Sequence, residues 1–159
     1  MRATAGPEIG QMAPEFRLKG PGGQTVSLSE YRGDKHVVLV FYPLAFSPVC
    51  SHQLPTVEQN LSKFEAAGAV VLGISVDSHY ANEAYARHLG LRFPLLSDFK
   101  RETSMAYGVL DHDRGFSERA IFVVDKHGTL VYKDVSPARG DVDQIPSNDK
   151  VLEAIRELK

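Results

Sequence analysis

Three short apolar runs constrain this chain more than any other feature: 36–42 (H-V-V-L-V-F-Y), 69–75 (A-V-V-L-G-I-S) and 120–124 (A-I-F-V-V). Each is strand-length, rich in β-branched and aromatic residues, and bounded by Pro, Gly or Asp, so each reads as a buried strand. Between the first two, Leu54, Val57, Leu61 and Phe64 fall at helical spacing, and Gly68 ends that helix. Pro55 lies inside it and removes the hydrogen bond to the Ser51 carbonyl, which predicts a kink. Between the second and third runs the pattern predicts a helix over Asn82–Leu89 closed by Gly90, a short strand Phe93–Leu96 and a short helix Arg101–Tyr107. Asp125-Lys126-His127-Gly128 then turns the third run into an antiparallel partner, Thr129–Lys133. Val151, Leu152, Ile155 and Leu158 mark a last amphipathic helix, with Ser147 as its cap. Upstream, Ala13–Leu18 and Thr25–Leu28 flank a Gly20–Gly23 turn as a hairpin, and Ser29–Gly33 reads as one helical turn.

This order implies an α/β fold: a central mixed sheet with helices on both faces, for which a thioredoxin-like sandwich is the simplest match. No repeat, linker or low-complexity tract divides the chain, so residues 1–159 are expected to form one domain. A net charge of −2 gives no electrostatic case for nucleic acid or an anionic membrane as partner. No apolar run is long enough to span a bilayer, and the first residues lack the apolar core of a secretory signal. The single cysteine cannot form an internal disulfide, so a reducing cytoplasm is the expected compartment.

That cysteine, Cys50, stands just after the first strand in P-L-A-F-S-P-V-C. Pro43 stops the strand. Ser47 suits an N-cap and Pro48 the first helical position, making Cys50 the third residue of a helix. There its thiol would lie among unpaired N–H groups at the positive end of a helix dipole, which favours the reactive thiolate. Taken alone, a lone cysteine is more often a buried hydrophobe, Ser47 a plain cap and Arg119 a surface charge. The six histidines are scattered and Cys50-x-His52 lacks a completing cluster, so no metal or cofactor is expected.

The run P-x-x-x-S-x-x-C, Arg119 ahead of the third strand, and the segments A-P-E-F-R-L, L-S-E-Y-R-G, F-P-L-L-S-D and A-Y-G-V resemble the peroxiredoxins in the same order. The resemblance spans roughly Gly10 to Leu158 and is nearest to the AhpE-like and bacterioferritin-comigratory-protein-like subgroup. It implies a thiol-dependent peroxidase that reduces hydrogen peroxide or organic hydroperoxides through a Cys50 sulfenic acid. The implied catalytic set is Cys50, Arg119, Ser47 and Pro43, with Val49, Leu44 and Phe46 at the substrate. It also implies a homodimer. Two positions depart from the pattern: a resolving cysteine of some relatives is Pro55 here, and a frequent glutamate is Gln53. The first leaves regeneration to an external thiol, either a small thiol or a thioredoxin- or glutaredoxin-like protein. The second removes an acid from any proton path at that place.

Ionisation alone gives little rate. A free thiol near neutrality is already several per cent thiolate, so full ionisation gains about tenfold, ~1.4 kcal/mol. Greater acceleration needs donors aimed at the peroxide oxygens: the Arg119 guanidinium, the Ser47 hydroxyl and the N–H groups of Val49 and Cys50. Two rivals stand beside this reading. A thiol–disulfide oxidoreductase needs C-x-x-C, where this chain has C-S-H-Q. A peroxide sensor or chaperone-like protein on the same fold would be oxidised without turnover.

Overall fold

The computed structural model describes residues 6–47, 50–136 and 148–158, and only the backbone of Cys50 and Ser51. The expected cap Ser147 and the first helical position Pro48 lie outside these residues. Two sheets are described. The larger has seven strands in the order β2 (Thr25–Ser27), β1 (Arg17–Lys19), β5 (Leu95–Ser97), β4 (Ala69–Ser75), β3 (His36–Phe41), β8 (Arg119–Val124) and β9 (Leu130–Ser136). The central three, β3, β4 and β5, are parallel, and every other pairing is antiparallel. The sheet is therefore mixed, as the order of apolar runs implies. The smaller sheet pairs β6 (Leu110–Asp111) with β7 (Phe116–Ser117), neither of which the apolar pattern marks as a strand.

The chain leaves β3, passes through α1 (Cys50–Gln59) and α2 (Leu61–Ala66), and returns as β4; it then crosses through α3 (His79–Leu89) to β5. Both crossovers step in the same direction across the sheet, so right-handed connections put these helices on one face. The core agrees. Leu54, Val57, Leu61, Phe64 and Tyr85 pack with Val38, Val40, Tyr42, Ile121 and Val123, and with Val151, Leu152 and Ile155 of α5 (Asn148–Arg156). The alternate residues Val37, Leu39, Phe41, Phe122 and Val124 face the other way. They are covered by Ala13 and Phe16, by Leu28 and Tyr31 of a 3-10 turn, and by Tyr107 at the end of α4 (Glu102–Ala106). Both faces are thus covered, one by long helices and one by short elements.

The helix after β3 was expected to run to Gly68 as one helix kinked at Pro55. Instead it passes through Pro55 and breaks at Asn60, whose φ and ψ are −102° and 3°. The physical reason is local. The Asn60 side-chain amide donates to the Thr56 carbonyl at 2.8 Å, the acceptor that the Asn60 backbone N–H would use in a continuous helix. That N–H bonds Val57 instead, at 3.0 Å. At the sheet centre Gly73 carries no side chain because a Cβ there would lie 2.4 Å from Leu95 Cδ2.

Candidate active site

The site forms where β3 ends. Tyr42 continues the face of Val38 and Val40, buried against α3, and its hydroxyl donates to Asn82 Oδ1 at 2.6 Å. Pro43 is buried and the chain then surfaces at Leu44 and Phe46. A turn follows, closed by the Ser47 N–H donating to the Leu44 carbonyl at 3.3 Å. The backbone enters α1 at Cys50. Cys50 is therefore the first described residue of a ten-residue helix; its expected third place in that helix counts residues 48 and 49, which lie outside the described residues. Val49, expected at the substrate, lies outside the described residues.

Arg119 begins β8, the antiparallel neighbour of β3, and Phe41 pairs with Ala120. Arg119 therefore stands one register step on, beside Tyr42. Strand alternation puts it on the same face as Ile121 and Val123, which is the face that carries α1. It is 3% exposed, so the surface-charge reading of Arg119 fails. Ser117 fixes the same corner, its hydroxyl donating to the Tyr42 carbonyl at 3.2 Å. Four of the expected site residues, Pro43, Ser47, Cys50 and Arg119, thus cluster in chain and register at one end of the central strand pair. Leu44 and Phe46 stand on the loop outside them, and the Phe46 ring packs on Tyr85 at a centroid distance of 4.8 Å.

Gln53, one turn beyond Cys50, is fully buried, and among the described residues neither its amide nitrogen nor its amide oxygen has a hydrogen-bond partner. His52 is exposed. Among the described residues no group of three His, Cys, Asp or Glu is placed to hold a metal.

Sequence reasoning passed over Asp77, Ser75 and Asn82. The Asp77 carboxylate accepts the Ala45 N–H at 2.7 Å, so it touches the loop between Pro43 and Ser47 directly. The available signal was a polar S-V-D-S at the end of an apolar strand, which reads most simply as a helix cap; Ser78 indeed caps α3 by accepting the Ala81 N–H. A cavity of about 940 Å³ lies elsewhere, between β1, Ser78–Tyr80, Ser97–Lys100 and α4, and none of the six expected site residues among the described ones lines it. Asp98 borders it and is buried, which pushes its carboxyl upward, while the backbone N–H groups of Thr103 and Ser104 bonded to it act the other way.

The comparisons with known proteins agree with this geometry. Residues 9–133 match the model of the AhpC/TSA family. Alkyl hydroperoxide reductase E of Mycobacterium tuberculosis is 39% identical over 129 residues, 80% of this chain and 84% of that protein. Among solved structures, AhpC of Mycobacterium tuberculosis superposes with a TM-score of 0.81 at 30% identity, covering 94% of this chain and 92% of that one. The reduced 2-Cys peroxiredoxin of Plasmodium vivax gives 0.82 at 30% identity, covering 92% and 79%. The chain belongs to the AhpC/TSA family of peroxiredoxins and is a thiol-dependent peroxidase.

Proposed function

We propose that Cys50 is the residue that meets the peroxide, and that this chain runs a one-cysteine cycle. One observation carries the reading: the only cysteine opens a helix directly after β3, while a buried arginine stands on the neighbouring strand on the same face of the sheet. A thiolate there attacks the terminal oxygen of R–O–O–H in line with the O–O bond. The S–O bond forms, the O–O bond breaks, and the alkoxide leaves and takes a proton to become ROH. Sulfur is oxidised to the sulfenic acid and the peroxide oxygen is reduced. One external thiol then condenses with the sulfenic acid, releasing water and forming a mixed disulfide. A second thiol displaces Cys50 and regenerates it.

Arg119 presents a rigid fork of donors to the sulfur and to the departing oxygen, where charge develops. Ser47 adds a hydroxyl, and the Cys50 N–H adds the positive end of α1. Pro43, buried at the foot of the loop, keeps water from the sulfur. Leu44 and Phe46 give the rim an apolar character that suits alkyl hydroperoxides as well as hydrogen peroxide.

The reductant is a small thiol or a thioredoxin- or glutaredoxin-like protein, and the compartment is the cytoplasm. Among the described residues no helix is long and apolar enough to cross a membrane. The chain acts as one domain and pairs as a homodimer through the face that carries the exposed Leu44 and Phe46.

The test follows Cys50 directly. Reduced protein is mixed with hydrogen peroxide and with cumene hydroperoxide in stopped flow, and the mass of the product is read. A gain of one oxygen on the wild type, and no peroxide consumption by Cys50→Ser, is the expected result. Consumption that survives in Cys50→Ser, or a Cys50 thiol found protonated at neutrality, would overturn the reading.

A further inference from the structure

The turn that leads toward Cys50 is strained, and a carboxylate from the bend after β4 holds it. The Ser47 N–H to Leu44 carbonyl bond makes Leu44–Ser47 a four-residue turn with Phe46 in its third place. Phe46 has a φ of 67°, the left-handed region. A type II turn requires that conformation there, and glycine normally supplies it because a β-carbon is crowded. Such strain persists only where the surroundings over-determine it. Two contacts do so here. The Phe46 ring lies on Tyr85, and the Asp77 carboxylate takes the Ala45 N–H at 2.7 Å.

Asp77 is itself held from several directions. The Ser75 hydroxyl donates to the same carboxylate oxygen at 2.7 Å. The Asp77 N–H donates back to Ser75 Oγ at 3.2 Å, and the Ser97 hydroxyl donates to the Asp77 carbonyl at 2.6 Å. Behind Ser75 lies Asn82, fully buried, which accepts from the Tyr42 hydroxyl and donates its amide to the Leu96 carbonyl at 3.2 Å. Asp77 is thus tied to β4 through its carboxylate and Ser75, to β5 through its backbone carbonyl and Ser97, and by way of Ser75 and Asn82 to Tyr42, the residue after β3.

We propose that Asp77 is a positioning residue for peroxide reduction: its bond to the Ala45 N–H clamps the strained Leu44–Ser47 turn, and so aims the Ser47 hydroxyl and the start of α1 at the peroxide. The inference rests on the proposed roles of Cys50 and Ser47. It separates two reactions of the same sulfur. Attack on a peroxide needs donors aligned on both oxygens, whereas alkylation by iodoacetamide needs only a reachable thiolate. Releasing the clamp should cost the first and spare the second.

The experiment uses the reduced full chain as wild type, Asp77→Ala, Asp77→Ser, Asp77→Asn and Cys50→Ser. Second-order rates are measured with hydrogen peroxide and with iodoacetamide. Asp77→Ala and Asp77→Ser, the latter too short to reach Ala45, are expected to react with peroxide at least about tenfold more slowly, since misalignment is costly in oriented reactions. Their iodoacetamide rates should stay close to wild type, because alkylation requires no alignment of donors on a second atom. Asp77→Asn keeps an oxygen for the Ala45 N–H and should restore the peroxide rate. If Asp77→Ala does not fold, as judged by its melting transition, Asp77→Ser carries the comparison. Wild-type peroxide rates in the folded short variants would overturn the proposal. So would equal losses toward both reagents, or an Asp77→Asn as slow as Asp77→Ala. Peroxide consumption by Cys50→Ser would instead sink the assignment of the sulfur, an outcome separate from any of these.

Discussion

Gln53 buries a primary amide whose nitrogen and oxygen both lack partners among the described residues. Leaving such a group unsatisfied costs about 1–3 kcal/mol. Gln53→Met, similar in length and apolar, should therefore raise stability by about 1 kcal/mol or more in urea unfolding. Its peroxide rate should stay near wild type, because an amide carries no proton to pass at neutral pH. A less stable Gln53→Met would show the amide to be satisfied after all. Arg119 is the sharper case. Arg119→Lys keeps the charge and loses the planar fork, so peroxide reduction should slow by about ten- to a hundredfold while the melting transition stays cooperative. An unaltered rate would remove the guanidinium from the mechanism. The buried place of Arg119 could not be anticipated from the residues around it, which taken alone favour a surface charge; the family resemblance singled it out. Nor could the isolation of the Gln53 amide, since it depends on what several distant elements bring to one point.

Among the elements, periodicity identified those that bury a clean face. The spacing of Leu54, Val57, Leu61 and Phe64 was enough to locate the helical segment, and all four are in the core. Leu54→Ala should cost about 2–5 kcal/mol, because a fully buried leucine leaves a cavity when shortened. The break at Asn60 was not legible. A polar side chain that competes for its own helix's carbonyl looks, in sequence, like any exposed asparagine. The β6–β7 pair escaped for another reason: two residues per strand give no alternation to read.

The start of β3 supplies a pH dependence. His36 is buried and its Nδ1 accepts the Lys126 N–H at 3.0 Å, tying β3 to the Asp125–Gly128 turn. Burial lowers its pKa; Asp125 opposes this, while Lys126 and His127 reinforce it. The neutral form is the one that the fold keeps. Its contribution is complete above the unfolded value near ~6.5 and is lost as pH falls through the lower folded value. Wild type should thus lose melting temperature between about pH 7 and pH 5. His36→Asn, which keeps an acceptor without a titrating nitrogen, should lose less over the same range. Identical slopes would exclude His36 as the cause.

For the whole molecule, the sheet order places the sulfur-bearing helix, the strand with Arg119 and the Asp77 network at one end of three adjoining strands. The order of the apolar runs announced a mixed sheet because they alternate with helical patterns, and the family resemblance supplied the chemistry. The network that braces the loop was hidden, because Tyr42, Ser75, Asp77, Asn82 and Ser97 are scattered in sequence and meet only after β3, β4 and β5 are side by side. Self-association belongs to this scale. Phe46 is exposed on the face proposed to pair, and Phe46→Glu should then shift sedimentation toward a smaller species. A wild type that sediments as a monomer at every concentration would refute the homodimer.

Phe46 also makes contradictory demands on its own codon. Its backbone angle asks for glycine or asparagine, while its seat on Tyr85 asks for an aromatic ring. A saturation library at this one position should therefore yield two separated optima, one achiral or small and one aromatic, with aliphatic and β-branched replacements falling in the trough between them.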